Sequence, residues 1–315
     1  MSDSLFIGVD GGGTGCRARL EDGEGNVLGA GVAGPASLRF GIEAALAAVG
    51  EACRQAFAEA GLGEADRGRT HAGIGLAGIG RKGMAEALAA HPSPFASVNY
   101  ASDGLVACLG AHSGEDGGIV IVGTGSVALA LIDGEEVRFG GYGFPIGDEG
   151  SGADLGLAAI RFALRAHDGR IDATGLLRDV MARFRSDSLE AIAWMDRATA
   201  TDYAAFAPLV IRHANEGDPI ARRIVQRGAE HIDDLVRALV TRRVRKIALI
   251  GGLSSPMEPW LAPDVRRRLK PLDHDQITGA LYLTPRASLG KRTSSTSPLA
   301  GEVGELTRAR PSARP

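Results

Sequence analysis

Residues 5–20 read LFIGVDGGGTGCRARL, in which an apolar strand, a glycine turn and a second strand follow one another. The apolar run 5–9 predicts a strand that is buried on both faces. Asp10 stands at its carboxyl end, and glycines 11–13 can bring backbone N–H groups close to an anion. Residues 16–20 then alternate in polarity, which predicts the second strand.

The glycine turn matches neither of the two common phosphate-binding loops. A dinucleotide fingerprint needs GxGxxG at the start of a helix, and a P-loop needs GxxxxGK followed by Ser or Thr. Here a strand follows the glycines, and a carboxylate beside a glycine hairpin suits a hydrated Mg²⁺ next to nucleotide phosphates. Two interpretations stay open: Asp10 orients a magnesium ion, or it is a solvated aspartate in an ordinary hairpin.

A second copy of the same plan lies farther along the chain. Residues 118–140 read GIVIVGTGSVALALIDGEEVRFG, with an apolar strand at 119–122, a glycine turn at 123–126 and two further strands. The first copy likewise continues into a third strand at 27–33. Two βββ units that open two halves of a chain indicate an internal duplication. We therefore expect the two glycine turns to clasp one phosphate chain from both sides.

Between the two copies the pattern predicts a parallel α/β layer. The predicted elements are a helix at 42–60, a strand at 71–76, a helix at 81–90, a strand at 95–100 and a helix from 102 to 109. In sheets of this kind, ligands lie beyond the carboxyl ends of the strands. Asp10 and Asp103 both stand at such ends, so we expect them to face the same cleft.

The chain is long enough for two domains and an additional segment. We expect a first lobe at 1–110, a second lobe at 111–284 and a disordered tail at 285–315, which is rich in Ser, Thr, Pro and Arg. Within the second lobe, residues 157–243 predict only helices, about five of them. A short strand at 245–250 follows and ends at two glycines.

Composition limits the classes of partner and the compartment. The formal net charge is −3, and residues 284–315 carry a net +4, which leaves about −7 for the rest of the chain. A body of that charge disfavours nucleic-acid binding. The three cysteines are widely spaced and odd in number, which favours a reducing cytoplasm. We recognise no signal peptide and no apolar run near the ~18 residues of a membrane span, so we expect a cytoplasmic protein without membrane partners.

The residues at the predicted strand ends supply the parts that phosphoryl transfer needs. That reaction requires the phosphates to be held, a metal to be placed and the attacking hydroxyl to be deprotonated. The two glycine turns would hold phosphates, Asp10 would orient Mg²⁺ through water, and Asp103 would be the base. The alternative for Asp103 is structural, because Ser102 or Asp103 is a good N-cap for the helix that follows.

Two further groups of residues also have two interpretations. Asp148 and Glu149 could accept hydrogen bonds from vicinal sugar hydroxyls or from an amine. Alternatively they only favour a helix N-terminus, since Ser151 with Asp154 resembles a capping box. The glycine pair 251–252 could be a plain strand-to-helix turn, or it could let a planar base lie against the backbone.

These motifs resemble those of the N-acetylglucosamine and glucosamine kinases of the BadF/BadG/BcrA/BcrD type, over about residues 5–283. That group belongs to the superfamily of actin, sugar kinases and the large heat-shock chaperones. The matching segments are GVDGGGT (8–14, first phosphate motif), VGTGS (122–126, second phosphate motif), IGG (250–252, adenosine motif), and the more specific GPASLRFG (34–41) and GGYGFPIGDEGSG (140–152), which look like hexose-pocket segments. Asp103 lies where the family's catalytic base lies.

The resemblance implies an α/β, two-lobed actin-like (ribonuclease H-like) fold, built from a duplicated βββαβαβα unit with an all-helical insertion in the second lobe. It also implies ATP and Mg²⁺ as cofactors, phosphorylation of a small-molecule sugar at its 6-hydroxyl, domain closure and often a homodimer. The implied nucleotide-binding residues are Gly11, Gly12, Gly13, Thr14, Gly123, Thr124, Gly125, Ser126, Gly251 and Gly252. The implied substrate-binding residues are Ser37, Asp103, Asp148 and Glu149, with Asp103 catalytic and Asp10 at the metal.

Two departures from the family pattern leave the particular sugar open. Ser37 stands where the family commonly has Asn, and Tyr142 stands where Trp is usual. We expect glucosamine ahead of N-acetylglucosamine, because no apolar niche for an acetyl group is recognisable. Other readings are an activator ATPase of a 2-hydroxyacyl-CoA dehydratase, whose iron–sulfur cluster the three cysteines do not suit, and a nucleotide-gated binding protein without an acceptor.

Overall fold

The computed structural model describes residues 4–286 and divides them into two units. The first unit comprises residues 4–106 and 280–286, and the second comprises residues 107–279. The expected boundary near residue 110 falls inside the helix Asp103–Ala111, along which the chain passes from the first unit to the second.

The first unit is built on a five-stranded mixed sheet. Its strands are β1 (Leu5–Gly11), β2 (Cys16–Glu21), β3 (Val27–Ala33), β4 (Thr70–Leu76) and β5 (Ser97–Ser102), in the order β3-β2-β1-β4-β5. Its helices are α1 (Ile42–Glu59), α2 (Met84–Ala89) and the first part of α3 (Asp103–Ala111). The first three strands pair antiparallel, whereas β4 and β5 join in parallel. The predicted βββαβαβ order is therefore confirmed.

The register of this sheet brings the predicted site residues to one edge. Gly11 is the partner of Leu76 across β1 and β4, and Leu76 is the partner of Ser102 across β4 and β5. Because parallel strands end at the same edge, Asp10 and Asp103 both lie at the carboxyl ends of their strands. One strand separates β1 from β5, which places them roughly 10 Å apart across the sheet.

Glycines let helix α1 approach the sheet closely. A Cβ atom at Gly31 of β3 would lie 2.0 Å from the carbonyl oxygen of Ala52 in α1, and one at Gly29 would lie 2.2 Å from that of Ala56. By contrast, a Cβ atom at Gly50 within α1 would meet no atom within 4 Å. The packing of α1 therefore requires glycine in β3 but not at position 50.

This contrast predicts opposite effects of two Gly→Ala substitutions on stability. We expect Gly31→Ala to lower the free energy of unfolding by roughly 1–3 kcal/mol, because the methyl group must push α1 away from the sheet. We expect Gly50→Ala to raise it by roughly 0.5–1 kcal/mol, since alanine is the better helix former. Urea unfolding of both variants measures the two effects, and equal effects of the same sign would contradict the packing described here.

The second unit repeats the first three strands on a smaller sheet. Its strands are β6 (Gly117–Val122), β7 (Ser126–Ile132), β8 (Glu135–Gly140) and β9 (Ile247–Ile250), in the order β8-β7-β6-β9. The β6–β7 and β7–β8 pairs are antiparallel, and β9 joins β6 in parallel. This matches the β3-β2-β1-β4 arrangement of the first sheet and supports the duplication.

The second copy is shorter than a full βββαβαβα unit. Where the first sheet has β5 beside β4, the second has only an isolated parallel bridge between Ile247 and Leu269. The segment before Leu269 is a short helix that begins at Pro263, so too few residues remain extended to form a strand. The second copy therefore keeps four of the five strands of the first.

An all-helical insertion separates β8 from β9, as predicted. Its helices are α4 (Gly152–His167), α5 (Gly175–Ala182), α6 (Ser188–Met195), α7 (Ala200–Ala204), α8 (Ala207–Asn215) and α9 (Pro219–Thr241). The short helices α10 (Ser254–Met257), α11 (Pro263–Arg266) and α12 (Gln276–Leu281) follow β9. Six helices thus occupy the region for which about five were predicted, and the first begins at Gly152, not at Leu157.

The predicted disordered tail lies almost wholly outside the described residues, which end at Arg286. Arg286 itself belongs to the first unit: its guanidinium pairs with the buried carboxylate of Glu21 and lies 5.8 Å from the ring centre of Phe6. Among residues 4–286, no helix has the length and apolar character needed to cross a membrane.

Candidate active site

Asp10, the residue predicted to orient the metal ion, lies in the first unit. It is the next-to-last residue of β1, and its side chain is 14% exposed. Arg17, its partner across the β1–β2 hairpin, donates a hydrogen bond from Nη2 to Asp10 Oδ2 at 2.6 Å. We did not single out Arg17 in the sequence, although counting the hairpin register outward from the glycine turn places it opposite Asp10.

The first glycine turn presents free backbone donors. The Gly12 N–H donates to the Gly15 carbonyl at 2.9 Å and closes the turn. Gly13 and Thr14 are exposed at its tip, and neither backbone N–H donates to a group in residues 4–286. A Cβ atom at Gly13 would meet nothing within 4 Å, whereas one at Gly11 would lie 2.7 Å from Leu76 Cδ2. Free N–H groups at an open turn are the arrangement that binds an anion such as phosphate.

The segment that includes Ser37 is tied to this turn. The Ala36 N–H donates to the Gly12 carbonyl at 3.0 Å. Ser37 is buried and is the N-cap of a short 3₁₀ helix, where its hydroxyl accepts a 3.4 Å hydrogen bond from the Arg39 N–H and donates to the Ala77 carbonyl at 3.5 Å. The structure therefore gives Ser37 a role in the fold, and its contact with a sugar stays a prediction.

Asp103 follows β5 as the first residue of α3 and is exposed. The Ser102 hydroxyl accepts the hydrogen bond from the Leu105 N–H at 2.9 Å, so Ser102 is the residue that caps the helix. Asp103 Oδ1 accepts a hydrogen bond from the adjacent Gly104 N–H at 3.0 Å. Ser102 is therefore the N-cap of α3. The role of general base stays our prediction for Asp103.

The second glycine turn in the second unit is held by the N-terminus of α4. The Gly123 N–H donates to the Gly125 carbonyl at 2.9 Å within the turn. The Gly152 N–H donates to the Gly123 carbonyl at 2.8 Å, and the Ala153 N–H donates to the Thr124 carbonyl at 3.2 Å. The first two backbone N–H groups of α4 therefore hold the turn in place. The sequence analysis did not predict this connection.

The predicted sugar loop, residues 140–152, also packs on the second turn. Ser126 is buried, and its hydroxyl donates to the Glu149 carbonyl at 2.7 Å. A Cβ atom at Gly125 would lie 2.5 Å from Asp148 Oδ2, so only glycine leaves room for that carboxylate. The Gly143 N–H donates to Asp148 Oδ1 at 3.3 Å. Burial raises the pKa of Asp148 above its ordinary value, an effect that the Gly143 N–H opposes.

The predicted cap at Ser151 and Asp154 is present, whereas the roles of Asp148 and Glu149 at this helix N-terminus or at a ligand stay predictions. The hydroxyl of Ser151 accepts the Asp154 N–H at 3.3 Å, and Asp154 Oδ2 accepts the Gly150 N–H at 2.9 Å. The N-terminus of α4 is thus capped by Ser151 and Asp154. Glu149 is exposed, so its carboxylate is accessible to a ligand.

The adenosine motif lies directly beside the second turn. Gly251 has a φ of +101°, and a Cβ atom there would lie 2.3 Å from the Val122 carbonyl oxygen. The same oxygen accepts the Leu253 N–H at 3.0 Å. Gly252 is exposed, with no atom within 4 Å of a Cβ position. The second unit therefore brings together the segments predicted to bind phosphate, sugar and adenosine.

The residues around Asp10 fit a magnesium ion that a nucleotide brings with it. Among residues 4–286, no group of three or more Asp, Glu, His or Cys side chains could hold a metal ion alone. Mg²⁺ in nucleotide sites usually needs only one or two carboxylates, with waters and phosphates as the other ligands. Arg17 contacts Asp10 Oδ2, and Oδ1 has no hydrogen-bond partner in the described chain.

The cysteines do not form a metal or redox site. Cys16, Cys53 and Cys108 are all buried and free, and burial raises the pKa of each thiol to about 12. Thiolates are the ligands of iron–sulfur clusters, and burial disfavours the thiolate form of all three side chains.

Comparisons with known proteins agree with this geometry. The model of the BadF/BadG/BcrA/BcrD ATPase family matches residues 7–280. The chain is 38% identical to a glucosamine kinase of Vibrio cholerae over 278 residues, which cover 88% of this chain and 95% of that protein. It is 27% identical to an N-acetyl-D-glucosamine kinase of Dictyostelium discoideum over 258 residues, which cover 77% and 81%.

Solved structures give the same result for the fold. A protein from Chromobacterium violaceum, provisionally named an N-acetylglucosamine kinase, superposes with a TM-score of 0.82 at 38% identity and covers 89% of this chain and 99% of that one. A ROK hexokinase from Thermus thermophilus superposes with a TM-score of 0.53 at 21% identity, covering 89% and 98%, and this likeness shows the fold alone. The predicted two-lobed sugar-kinase fold class is confirmed.

Proposed function

Since the chain belongs to the BadF/BadG/BcrA/BcrD ATPase family, we propose that it is an ATP-dependent amino-sugar kinase that phosphorylates glucosamine at the 6-hydroxyl. The observation that carries this proposal is the convergence on one glycine turn in the second unit. The loop that carries Asp148 is bonded to the turn at 123–126, and the segment at Gly251 packs on Val122, the residue before that turn. A phosphate site, a polar sugar loop and a nucleoside site are the parts that a sugar kinase needs.

The proposed mechanism gives each part a role in positioning or proton transfer. The free N–H groups at Gly13 and Thr14, with Gly11 and Gly12 shaping their turn, bind phosphate oxygens, and the turn at 123–126 does the same. Asp103 accepts the proton of the 6-hydroxyl as the oxygen attacks the γ-phosphorus, and the bond from that phosphorus to the β–γ bridging oxygen breaks to release ADP. Asp10 would orient a Mg²⁺ ion bound with the nucleotide, and that ion would supply charge neutralisation at the phosphates.

The choice of glucosamine rests on the sugar loop and on the relative from Vibrio cholerae. The carboxylates of Asp148 and Glu149 suit hydroxyl or ammonium donors, and Tyr142 of the same loop is exposed. N-acetylglucosamine is the second candidate, which the name of the Dictyostelium discoideum relative favours. Because the proposed reaction uses ATP, we expect the protein to act in the cytoplasm. We also expect a homodimer, and analytical ultracentrifugation would measure its mass in solution.

A coupled assay of ADP release tests the proposed function. With Mg²⁺-ATP we expect turnover with glucosamine, weaker turnover with N-acetylglucosamine, and little with glucose or N-acetylmuramic acid. Release of ADP that does not depend on any added sugar would support the nucleotide-gated binding protein instead. Iron and brown colour in the purified protein would support the dehydratase activator, against the buried thiols described above.

Replacement of Asp10 tests the magnesium assignment by binding as well as by activity. We expect Asp10→Ala to weaken ATP binding in the presence of Mg²⁺ by roughly tenfold or more, since the ion would lose the carboxylate that we assign to it. ATP binding in the presence of EDTA should change little. Calorimetric titration under both conditions measures the difference, and equal losses with and without Mg²⁺ would contradict a role at the metal.

A further inference from the structure

Two basic segments of the second unit are brought together at the amino end of β9. The first, residues 241–246, reads TRRVRK and precedes the strand, and the second, residues 266–270, reads RRRLK and follows α11. The bridge between Ile247 and Leu269 joins them, and the Lys270 N–H donates to the Ile247 carbonyl at 2.8 Å. The fold thus concentrates positive charge in a protein whose overall charge is negative.

Most of these cations have no carboxylate partner. Lys246 pairs with Glu115 at 2.7 Å. Within residues 4–286, no ion pair involves the exposed side chains Arg242, Arg243, Arg245, Arg266, Arg267, Arg268 and Lys270. Some surface guanidiniums elsewhere in the described chain are paired, as Arg54 is with Glu51 and Arg170 with Asp168, and others such as Arg183 and Arg197 are not. Mutual repulsion of clustered cations is unfavourable, and a bound anion would relieve it.

A groove of about 510 Å³ lies within this basic region, between α9 and α11. Its polar lining consists of Thr241, the carboxylate of Asp264 and three guanidiniums, those of Arg237, Arg267 and Arg268. Its apolar lining consists of Val240 and of Val236 and Val265, the last two fully buried. Arg237 lies 3.5–3.9 Å from three carboxylates, those of Asp233, Asp234 and Asp264, and is thereby neutralised. The unpaired charges at the groove are therefore those of Arg267 and Arg268.

This groove is separate from the proposed kinase site. Gly251 and the second glycine turn lie at the carboxyl ends of β9 and β6. The basic segments lie at the amino end of β9, and four residues of extended chain place the two ends of the strand roughly 13 Å apart.

We propose that the groove between α9 and α11 is a binding site for a phosphorylated small molecule, held by the guanidiniums of Arg267 and Arg268. Guanidinium groups match phosphate oxygens with paired hydrogen bonds. The partly exposed side chain of Val240 offers an apolar contact to the carbon skeleton of such a ligand, and the volume lies in the range of small-molecule sites. A long polyanion would instead be recognised by the whole basic surface, without a need for the groove.

Inorganic pyrophosphate is a suitable probe, titrated calorimetrically at low ionic strength because salt screens exposed charges. We expect the Arg267→Ser/Arg268→Ser double variant to bind it roughly tenfold more weakly at this site, since each lost contact is a charge-assisted hydrogen bond. The matched control is Arg243→Ser/Arg245→Ser, which removes the same charge from the same surface but outside the groove. Its affinity should stay within about threefold of the unaltered protein. Any binding of pyrophosphate at the glycine turns is the same in the unaltered protein and in both double variants, so it does not affect their comparison.

Three results would overturn the proposal. These are an unchanged affinity in the Arg267/Arg268 double variant, equal losses in both double variants, and a single-stranded RNA oligonucleotide that binds more tightly than pyrophosphate. The Arg267→Lys/Arg268→Lys variant keeps the charge and should retain part of the affinity. Equal melting temperatures for the variants would exclude misfolding, and sugar-dependent ADP release should persist in all of them, which separates this site from the kinase site.

Discussion

Asp103→Asn is expected to lower sugar-dependent ADP release by roughly 10²–10⁴-fold, the usual contribution of a general base. Asparagine has the same shape as aspartate but cannot accept the proton of the attacking hydroxyl. The substitution should not disturb the fold, because the N-cap of α3 is Ser102 and the Gly104 N–H can donate to an amide oxygen as it does to Asp103 Oδ1. ATP affinity and melting temperature should therefore stay near those of the unaltered protein.

Ser102→Ala is the matched control for this prediction. Loss of the cap to the Leu105 N–H should lower the free energy of unfolding by roughly 0.5–2 kcal/mol and leave most of the turnover. The two neighbours should thus separate stability from chemistry, as read from thermal unfolding and the coupled assay. Turnover of Asp103→Asn within tenfold of the unaltered protein would show that another group accepts the proton.

The strands and turns of the two βββ units could be predicted because their signals are local. An apolar run followed by glycines, as in 5–13 and 119–125, fixes where a strand ends and a turn begins. The parallel pairing of β1, β4 and β5 followed from the alternation of strands and helices. Asp10 and Asp103 were therefore placed at one sheet edge by sequence alone.

Contacts between distant segments could not be predicted in this way. Nothing in the sequence shows that the Asp148 carboxylate fills the space left by the missing Cβ of Gly125, or that Ser126 binds the Glu149 carbonyl. These contacts depend on how the loop 140–152 returns to the sheet. Sequence reasoning identified the residues of the loop but not their attachment to the second turn.

The predicted helix boundaries were wrong where the backbone conformation of a glycine determines them. The helix predicted from Arg81 begins at Met84, since Gly83 has a φ of +80° and ends the preceding turn. Helix α4 begins at Gly152, earlier than predicted, and its glycines permit close packing: a Cβ atom at Gly156 would lie 1.9 Å from the Tyr203 carbonyl oxygen. Such positions look like helix breakers in the sequence.

Gly251→Ala is expected to destabilise the protein and to weaken ATP binding together. A side chain at φ +101° is strained, and its Cβ atom would lie 2.3 Å from the Val122 carbonyl oxygen. Strain and overpacking together should lower the free energy of unfolding by about 2–5 kcal/mol. Val122 leads directly into the second glycine turn and accepts the Leu253 N–H, so its displacement should also lower ATP affinity by roughly tenfold or more.

Gly252→Ala distinguishes a structural glycine from one that leaves room for a ligand. Its Cβ atom would meet nothing within 4 Å, and its φ is not positive, so the ligand-free protein should unfold at an unchanged temperature. If the adenine base lies against this backbone, ATP affinity should still fall, because the methyl group occupies the place of the base. Thermal unfolding with and without ATP measures both quantities for each variant. A Gly251→Ala protein with normal stability and ATP affinity would contradict the packing of the adenosine motif against Val122, and a normal ATP affinity in Gly252→Ala would place the base elsewhere.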